Sequence, residues 1–542
     1  MRRLQTALFA TSMVLASTLA VSGSQAAEGA EAVDQVLPRR ASPTQRPAGL
    51  GLDRPSSEPA STIPTAADLN TEAARWRATV GRRLASLSDA ATEGPVQKPA
   101  ASAEEIRALE LELQRLTSEA RDVADVGIAV RELESGAPLF SFHADQALNP
   151  ASNHKLLTAV AAAELLGAEY RFTTEVRLDG DTLVLVGDGD PSLQVEDLEA
   201  LAARTIRAGI DLSAITSIAA DDTAFTARRF GPGYSSDGPG WSYLAPSGAL
   251  SLQFNTVTVS VRAAGAGQPA RVAVDPPSAH IVVENHATTG RRDRVSVQTF
   301  ARGDQTVVEV RGTVRSAVRE RRRITDPASF TASTFAMALA ASSGSAPLPV
   351  HRAAASDQAE LVTQHDSDPL PEVLSAALVF SNNFTSEQVL RTLGRRMSAE
   401  PGSWRNGHVA LERFWAAIGR DKRELTFENA SGYSRAGRLT ADAIVALLAL
   451  TQRPDGQAKA LLPMLPAAGR QGTMRNRLPR ARGRVRAKTG TLSGASALSG
   501  LVVSRSGGRA LGFSILVNGK LTARRSRRLQ DRLVMALVHH LD

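Results

Sequence analysis

The segment Ser152-Asn153-His154-Lys155, running straight into Leu156-Leu157-Thr158-Ala159-Val160-Ala161, constrains this chain more than any other. The pattern predicts a helix over Lys155–Leu166 whose apolar surface must be covered by other elements. Positions i and i+3 of a helix share a face, so Lys155 lies one turn from Ser152. A serine hydroxyl is a weak nucleophile and needs an adjacent base. The apolar run buries the lysine stem, and burial lowers an ammonium pKa. Ser152 at the helix start places its own N–H at the positive end of the dipole, where an oxyanion would be stabilised.

Lysine usage singles out this pair. Of 63 Lys and Arg residues only six are lysine: Lys98, Lys155, Lys422, Lys459, Lys488 and Lys520. Arginine does not deprotonate in a protein, whereas a buried lysine becomes a neutral base. A lysine kept in such a chain points to chemistry that arginine cannot perform.

Two further motifs follow in order. Ser381-Asn382-Asn383 directly precedes a helical pattern. Ser and Asn are also preferred helix caps. Read as chemistry, Ser381 relays a proton to a leaving group and Asn383 holds a substrate amide carbonyl. Lys488-Thr489-Gly490-Thr491 follows a short strand pattern over Arg484–Ala487. Here Lys488 supplies positive charge, Thr489 binds a carboxylate, and Gly490 lets a substrate backbone approach the strand edge. The N–H of Thr491 becomes the second oxyanion donor, opposite that of Ser152. Serine–lysine acyl enzymes combine these three motifs in this order.

The absence of cysteine excludes disulfides, thiolate metal sites and cysteine nucleophiles. His143, His154, His539 and His540 lack metal-ligand spacing, and no cofactor is expected. The net charge of +8 suits anionic surroundings, but no nucleic-acid motif is present. The group Arg470, Arg475, Arg477, Arg480, Arg482, Arg484 and Arg486 reads as a solvated face, with attraction of an anionic wall polymer as the functional alternative.

Along the chain, residues 1–26 read as a secretory signal with Arg2 and Arg3, an apolar stretch and a small-x-small site at Ser24-Gln25-Ala26. Residues 27–100 read as a disordered linker. A capping box, Ser102 with Glu105, then opens a helix. The expected organisation is a first catalytic part at 101–175, a β-rich insertion at 176–365, and a second catalytic part at 366–542. The fold class is α/β (α+β), with the first and last hairpins joining one antiparallel sheet flanked by helices.

The chain resembles the low-molecular-mass class C penicillin-binding proteins, D-alanyl-D-alanine carboxypeptidase/endopeptidases with a β-lactamase-like catalytic domain. The likeness is carried by Pro150–Ala159, Gly187–Leu193, Ala249–Asn255, Arg470–Met474 and Lys488–Leu492, and by the long gap between Ser152 and Ser381. It implies two inserted accessory domains and an acyl-enzyme on Ser152. It also implies peptidoglycan stem peptides ending in D-Ala-D-Ala as substrate, and β-lactams as acylating inhibitors. The expected location is secreted, periplasmic or cell-wall associated, with loose association to wall or membrane surface. By the same resemblance, Asp221 holds the amino end of a diamino acid. The chain departs from the family at Asn429-Ala430-Ser431-Gly432-Tyr433-Ser434, where Asp-Gly-Ser-Gly-Leu-Ser is usual. Two other readings are a β-lactamase or esterase on the same scaffold, and a wall sensor that is acylated and then stalls.

Overall fold

A computed structural model describes residues 78–88, 102–119 and 123–541. The expected signal segment and most of the expected linker lie outside the described residues.

Helix α1 (Ala103–Ser118) opens with the expected capping box at Ser102. Strands β1 (Ala124–Glu132) and β2 (Pro138–Phe142) form the first hairpin. A 3-10 turn at Ala151–Asn153 leads into α2 (His154–Leu166), which is buried along its whole length. The chain then leaves this layer and returns as α5 (Leu370–Val379), α6 (Asn383–Ser398), α7 (Trp404–Ala417) and α8 (Ala441–Leu450). A short ribbon, β14 (Leu425–Thr426) with β15 (Arg438–Leu439), lies between α7 and α8, and the chain ends with β16 (Val485–Leu492), β17 (Ala495–Val503), β18 (Ala510–Gly519) and α9 (Ala523–His540).

The two ends of the chain build one sheet in the order β16-β17-β18-β1-β2. Its neighbours are antiparallel, with Ile128 opposite Ile515 and Thr489 opposite Leu498. Period-2 alternation gives the sheet two apolar faces. Ala129, Ala497 and Leu516 face a core with α2, α5, α6, α7 and α8. Ile128, Val130, Leu498 and Ile515 face a second core with α1 and α9. The joined antiparallel sheet expected from sequence is therefore present, and β16 is its edge strand.

The insertion carries a mixed sheet of β3 (Thr173–Asp179), β4 (Thr182–Gly187), β5 (Ser217–Asp221), β12 (Val350–Arg352) and β13 (Glu360–Asp366). Two three-stranded sheets accompany it. One joins β8 (Ile281–Thr289), β9 (Arg294–Arg302) and β10 (Gln305–Val314). The other joins β6 (Thr256–Arg262), β7 (Arg271–Asp275) and β11 (Ala317–Arg323). The β reading needs correction at two helices, α3 (Val195–Arg207) and α4 (Pro327–Ser343). Helix α4 is buried on most sides, so it lacks the polar stripe that marks an amphipathic helix. One continuous apolar cluster links the sheets of the insertion and both helices.

Helix α6 joins the insertion to the catalytic layer. Arg391 is fully buried and donates to the carbonyls of Thr226, Ser247 and Gly402. Its guanidinium lies 4.4 Å from the Phe225 ring centroid and 4.5 Å from that of Trp404, a geometry that adds cation–π attraction. Gln388, one turn earlier, donates to Gly248 O at 2.8 Å.

Candidate active site

Ser152, Ser381, Asn383, Thr489 and Thr491 line one cavity of about 1750 Å³. The 3-10 turn raises Ser152 from the start of α2, and Ala151 beside it has a φ of 45°, unusual for a residue with a side chain. Lys155 follows one turn later and is fully buried. Its Nζ contacts three groups: Ser152 Oγ at 3.1 Å, Asn383 Oδ1 at 2.7 Å and Ser431 O at 2.7 Å. Burial pushes the Lys155 pKa down to about 7, with the Glu387 charge opposing that shift. The two oxygen partners from Asn383 and Ser431 can only accept. When Lys155 is neutral its two N–H groups satisfy them, and its lone pair is left facing the one partner that carries a proton, Ser152.

Asn382 rather than Ser381 caps α6, accepting from Thr385 N. That frees Ser381, whose φ is 62°, to face the cavity. Lys488 Nζ donates to Ser381 Oγ at 2.9 Å and to Thr489 O at 2.7 Å. Burial first, and the Lys155 charge second, hold Lys488 well below its ordinary range. Asn383, expected to hold a substrate amide carbonyl, also makes two protein contacts. Its Oδ1 accepts from Lys155 and its Nδ2 donates to Tyr243 O at 3.1 Å, so the amide bridges two protein groups.

The strand expected at Arg484–Ala487 continues through the third motif, so that Lys488-Thr489-Gly490-Thr491 lies inside β16. Gly490 has a packing role as well. A Cβ there would lie 2.8 Å from Pro150 O and 3.0 Å from Ser152 N. The glycine therefore lets β16 close on the nucleophile turn. The Asn153 amide ties the same two elements in its satisfied orientation, with Nδ2 donating to Lys488 O at 3.0 Å and Oδ1 accepting from Ser499 N at 3.1 Å.

Asp221 does not join this cavity. One oxygen accepts from Thr223 N and Oγ1, and the other accepts from Ala355 N. It closes the turn after β5. The arginine group is partly structural. Arg477 pairs with Asp531 at 2.6 Å, Arg484 donates to Val503 O, and Arg486 donates to Pro463 O and Leu465 O. Among the described residues, Glu284, His286 and Glu309 form a group with metal-ligand proximity. Arg302 and Arg311 already engage its two carboxylates, so it reads as an ion-pair cluster.

Sequence reasoning missed Glu387 and Tyr234. Glu387 is buried one turn after Asn383. It accepts from Ser431 N at 2.9 Å, Ala430 N at 3.3 Å, Trp404 Nε1 at 2.7 Å and Tyr234 OH at 3.2 Å. It thereby fixes the loop whose Ser431 carbonyl holds Lys155. In that loop a Cβ on Gly432 would lie 2.0 Å from Ala151 O. Tyr234, from the insertion, also bonds Ser431 Oγ at 2.7 Å. The tyrosine count was a usable signal. The chain has four tyrosines, and three of them, Tyr234, Tyr243 and Tyr433, form one aromatic group at the cleft.

His154 is buried, and burial lowers its pKa to about 4, so it packs as a neutral ring against Phe427. No described helix is long and apolar enough to cross a membrane.

Residues 109–539 match the family described as D-Ala-D-Ala carboxypeptidase 3 (S13). The chain is 33% identical over 426 residues to a D-alanyl-D-alanine carboxypeptidase of Actinomadura sp. (strain R39), covering 72% of this chain and 77% of that protein. It is 26% identical to Carboxypeptidase DacB of Mycolicibacterium smegmatis, covering 72% and 75%. Its fold superposes on penicillin binding protein 4 (dacB) of Haemophilus influenzae with a TM-score of 0.66 at 19% identity, covering 78% of this chain and 98% of that one.

Proposed function

The chain belongs to the D-Ala-D-Ala carboxypeptidase 3 (S13) family; we propose that it is a penicillin-binding serine peptidase in which Ser152 is the nucleophile and Lys155 its base. The observation that carries this reading is the set of three contacts on Lys155, of which only Ser152 offers a proton.

Neutral Lys155 takes the Ser152 proton as Oγ attacks the carbonyl of the penultimate D-alanine in a peptidoglycan stem peptide. The C–N bond to the last D-alanine breaks after a tetrahedral intermediate. The N–H groups of Ser152 and Thr491 stabilise its oxyanion. Ser381, bonded to Lys488, passes a proton to the departing nitrogen, and Thr489 binds the terminal carboxylate. Water then hydrolyses the Ser152 ester with Lys155 as base. β-Lactams acylate Ser152 by the same attack, their ring amide standing in for the peptide bond. Such an enzyme works outside the cytoplasm, where its substrate lies.

Release of D-alanine from a D-Ala-D-Ala peptide, beside labelling by a fluorescent penicillin, tests this. The wild type is expected to do both and Ser152→Ala neither. Undiminished labelling of Ser152→Ala would overturn the nucleophile assignment. Labelling without D-alanine release would instead identify a stalled sensor.

A further inference from the structure

We propose that the cleft continues into an arginine-walled arm that takes the anionic part of the substrate, so that the enzyme selects peptides bearing carboxylates well beyond the scissile bond. This rests on the peptidase reading above. The cavity that holds Ser152 runs past the β16–β17 turn to the first turns of α9 and onto α1. At about 1750 Å³ it is larger than a dipeptide end requires; small-ligand pockets occupy about 300–1,000 Å³.

The wall of this arm is unlike the chain average. The whole sequence holds 63 Lys and Arg against 55 Asp and Glu. Eight arginines line the cavity, against the two carboxylates of Glu112 and Asp531. Asp531 is already taken by Arg477, and Glu119, at the end of α1, pairs with Arg115 and Arg532 and lies near Arg528. Arg435, Arg475, Arg524, Arg527 and Arg528 are exposed, and none forms an ion pair with a described residue. Three of these lie in the first two turns of α9, with Arg524 in its first turn, which holds no acid. Cations beside the positive end of a helix dipole do not stabilise the fold. A bound anion would explain them. The wall belongs to the cavity that holds Ser152, so a peptide cut there would extend along it. The anion of such a molecule is the peptide carboxylate.

The test uses two D-Ala-D-Ala peptides identical in their last three residues, one preceded by glutamates and the other by glutamines. Wild type is expected to favour the glutamate peptide in kcat/KM by roughly tenfold at low salt. That preference should shrink as salt shortens the screening length. The triple variant Arg524→Gln, Arg527→Gln, Arg528→Gln is expected to lose the preference while Ser152 is still acylated by penicillin at the wild-type rate. Equal turnover of the two peptides, or a preference that survives in the triple variant, would overturn the proposal. Binding of the labelled glutamate peptide, read by anisotropy, needs no turnover. Charge-dependent binding without D-alanine release would sink the peptidase reading and support the arm.

Discussion

The Glu387 carboxylate accepts the Ser431 N–H at 2.9 Å, and the carbonyl of the same Ser431 accepts from Lys155. One buried acid thus both positions a ligand of the base and favours its charged form. In Glu387→Gln the opposing charge is gone, so the Lys155 pKa should fall further. Acylation by penicillin needs neutral Lys155, and in wild type its rate should therefore rise with pH through about 7. The variant profile is expected to shift to lower pH while its plateau rate drops. An unshifted profile would show that Glu387 acts through loop position alone.

Lys155→Arg keeps a cation in the pocket and removes the base. Acylation should fall by about 10²–10⁴, with far-UV circular dichroism unchanged. Retention of more than a tenth of the rate would argue that another group takes the Ser152 proton.

Gly490→Ala places a methyl group against Pro150 O and Ser152 N. β16 must then move away from the nucleophile turn. Overpacking of this kind costs about 1–3 kcal/mol, readable as a lower denaturation midpoint. The acylation rate is expected to fall more steeply than stability, because the displaced strand carries Lys488 and Thr491.

Asn429 explains its own departure from the family pattern. It is buried, and its Nδ2 donates to Pro232 O at 3.0 Å while Oδ1 accepts from Tyr433 N at 3.2 Å. Asn429→Asp would set a carboxylate oxygen against the Pro232 carbonyl. The expected cost is about 1–3 kcal/mol for the unpaired buried acceptor, with no gain in D-alanine release. A more stable or more active variant would contradict this.

Tyr234→Phe removes a hydroxyl shared by Glu387 and Ser431. A loss of about 1 kcal/mol is expected by denaturant unfolding, with a reduced acylation rate. An unchanged rate would mean that the insertion does not help to hold the site.

The chemistry was legible because lysine was rare. Lys155 and Lys488 stood out against arginine, and the order of the three motifs fixed which distant residues must meet. Ser381 was harder to read, because Asn382, its neighbour, performs the capping that the same residues suggest. Helix α4 was missed for a physical reason: with both faces buried it shows no polar period, although Asp326 followed by Pro327 marks a helix start. Glu387 was hidden in a largely polar helix sequence, where one acid looks like a solvated position. Its four donors come from three separate segments, and only the tertiary fold brings them together.

The five-stranded sheet has a temporal consequence. β1 pairs with β18, and the lysine of β16 comes from the same late segment. Contacts so far apart in sequence form last and slowly. While the chain is being made, the insertion can complete its own core, but Ser152 stays without β16 beside it. A ribosome-bound or partly threaded chain therefore holds its nucleophile in an unarmed state. Reactivity toward an acylating drug begins only when the final strands close the sheet, so drug labelling would report completion of folding as well as the presence of the enzyme.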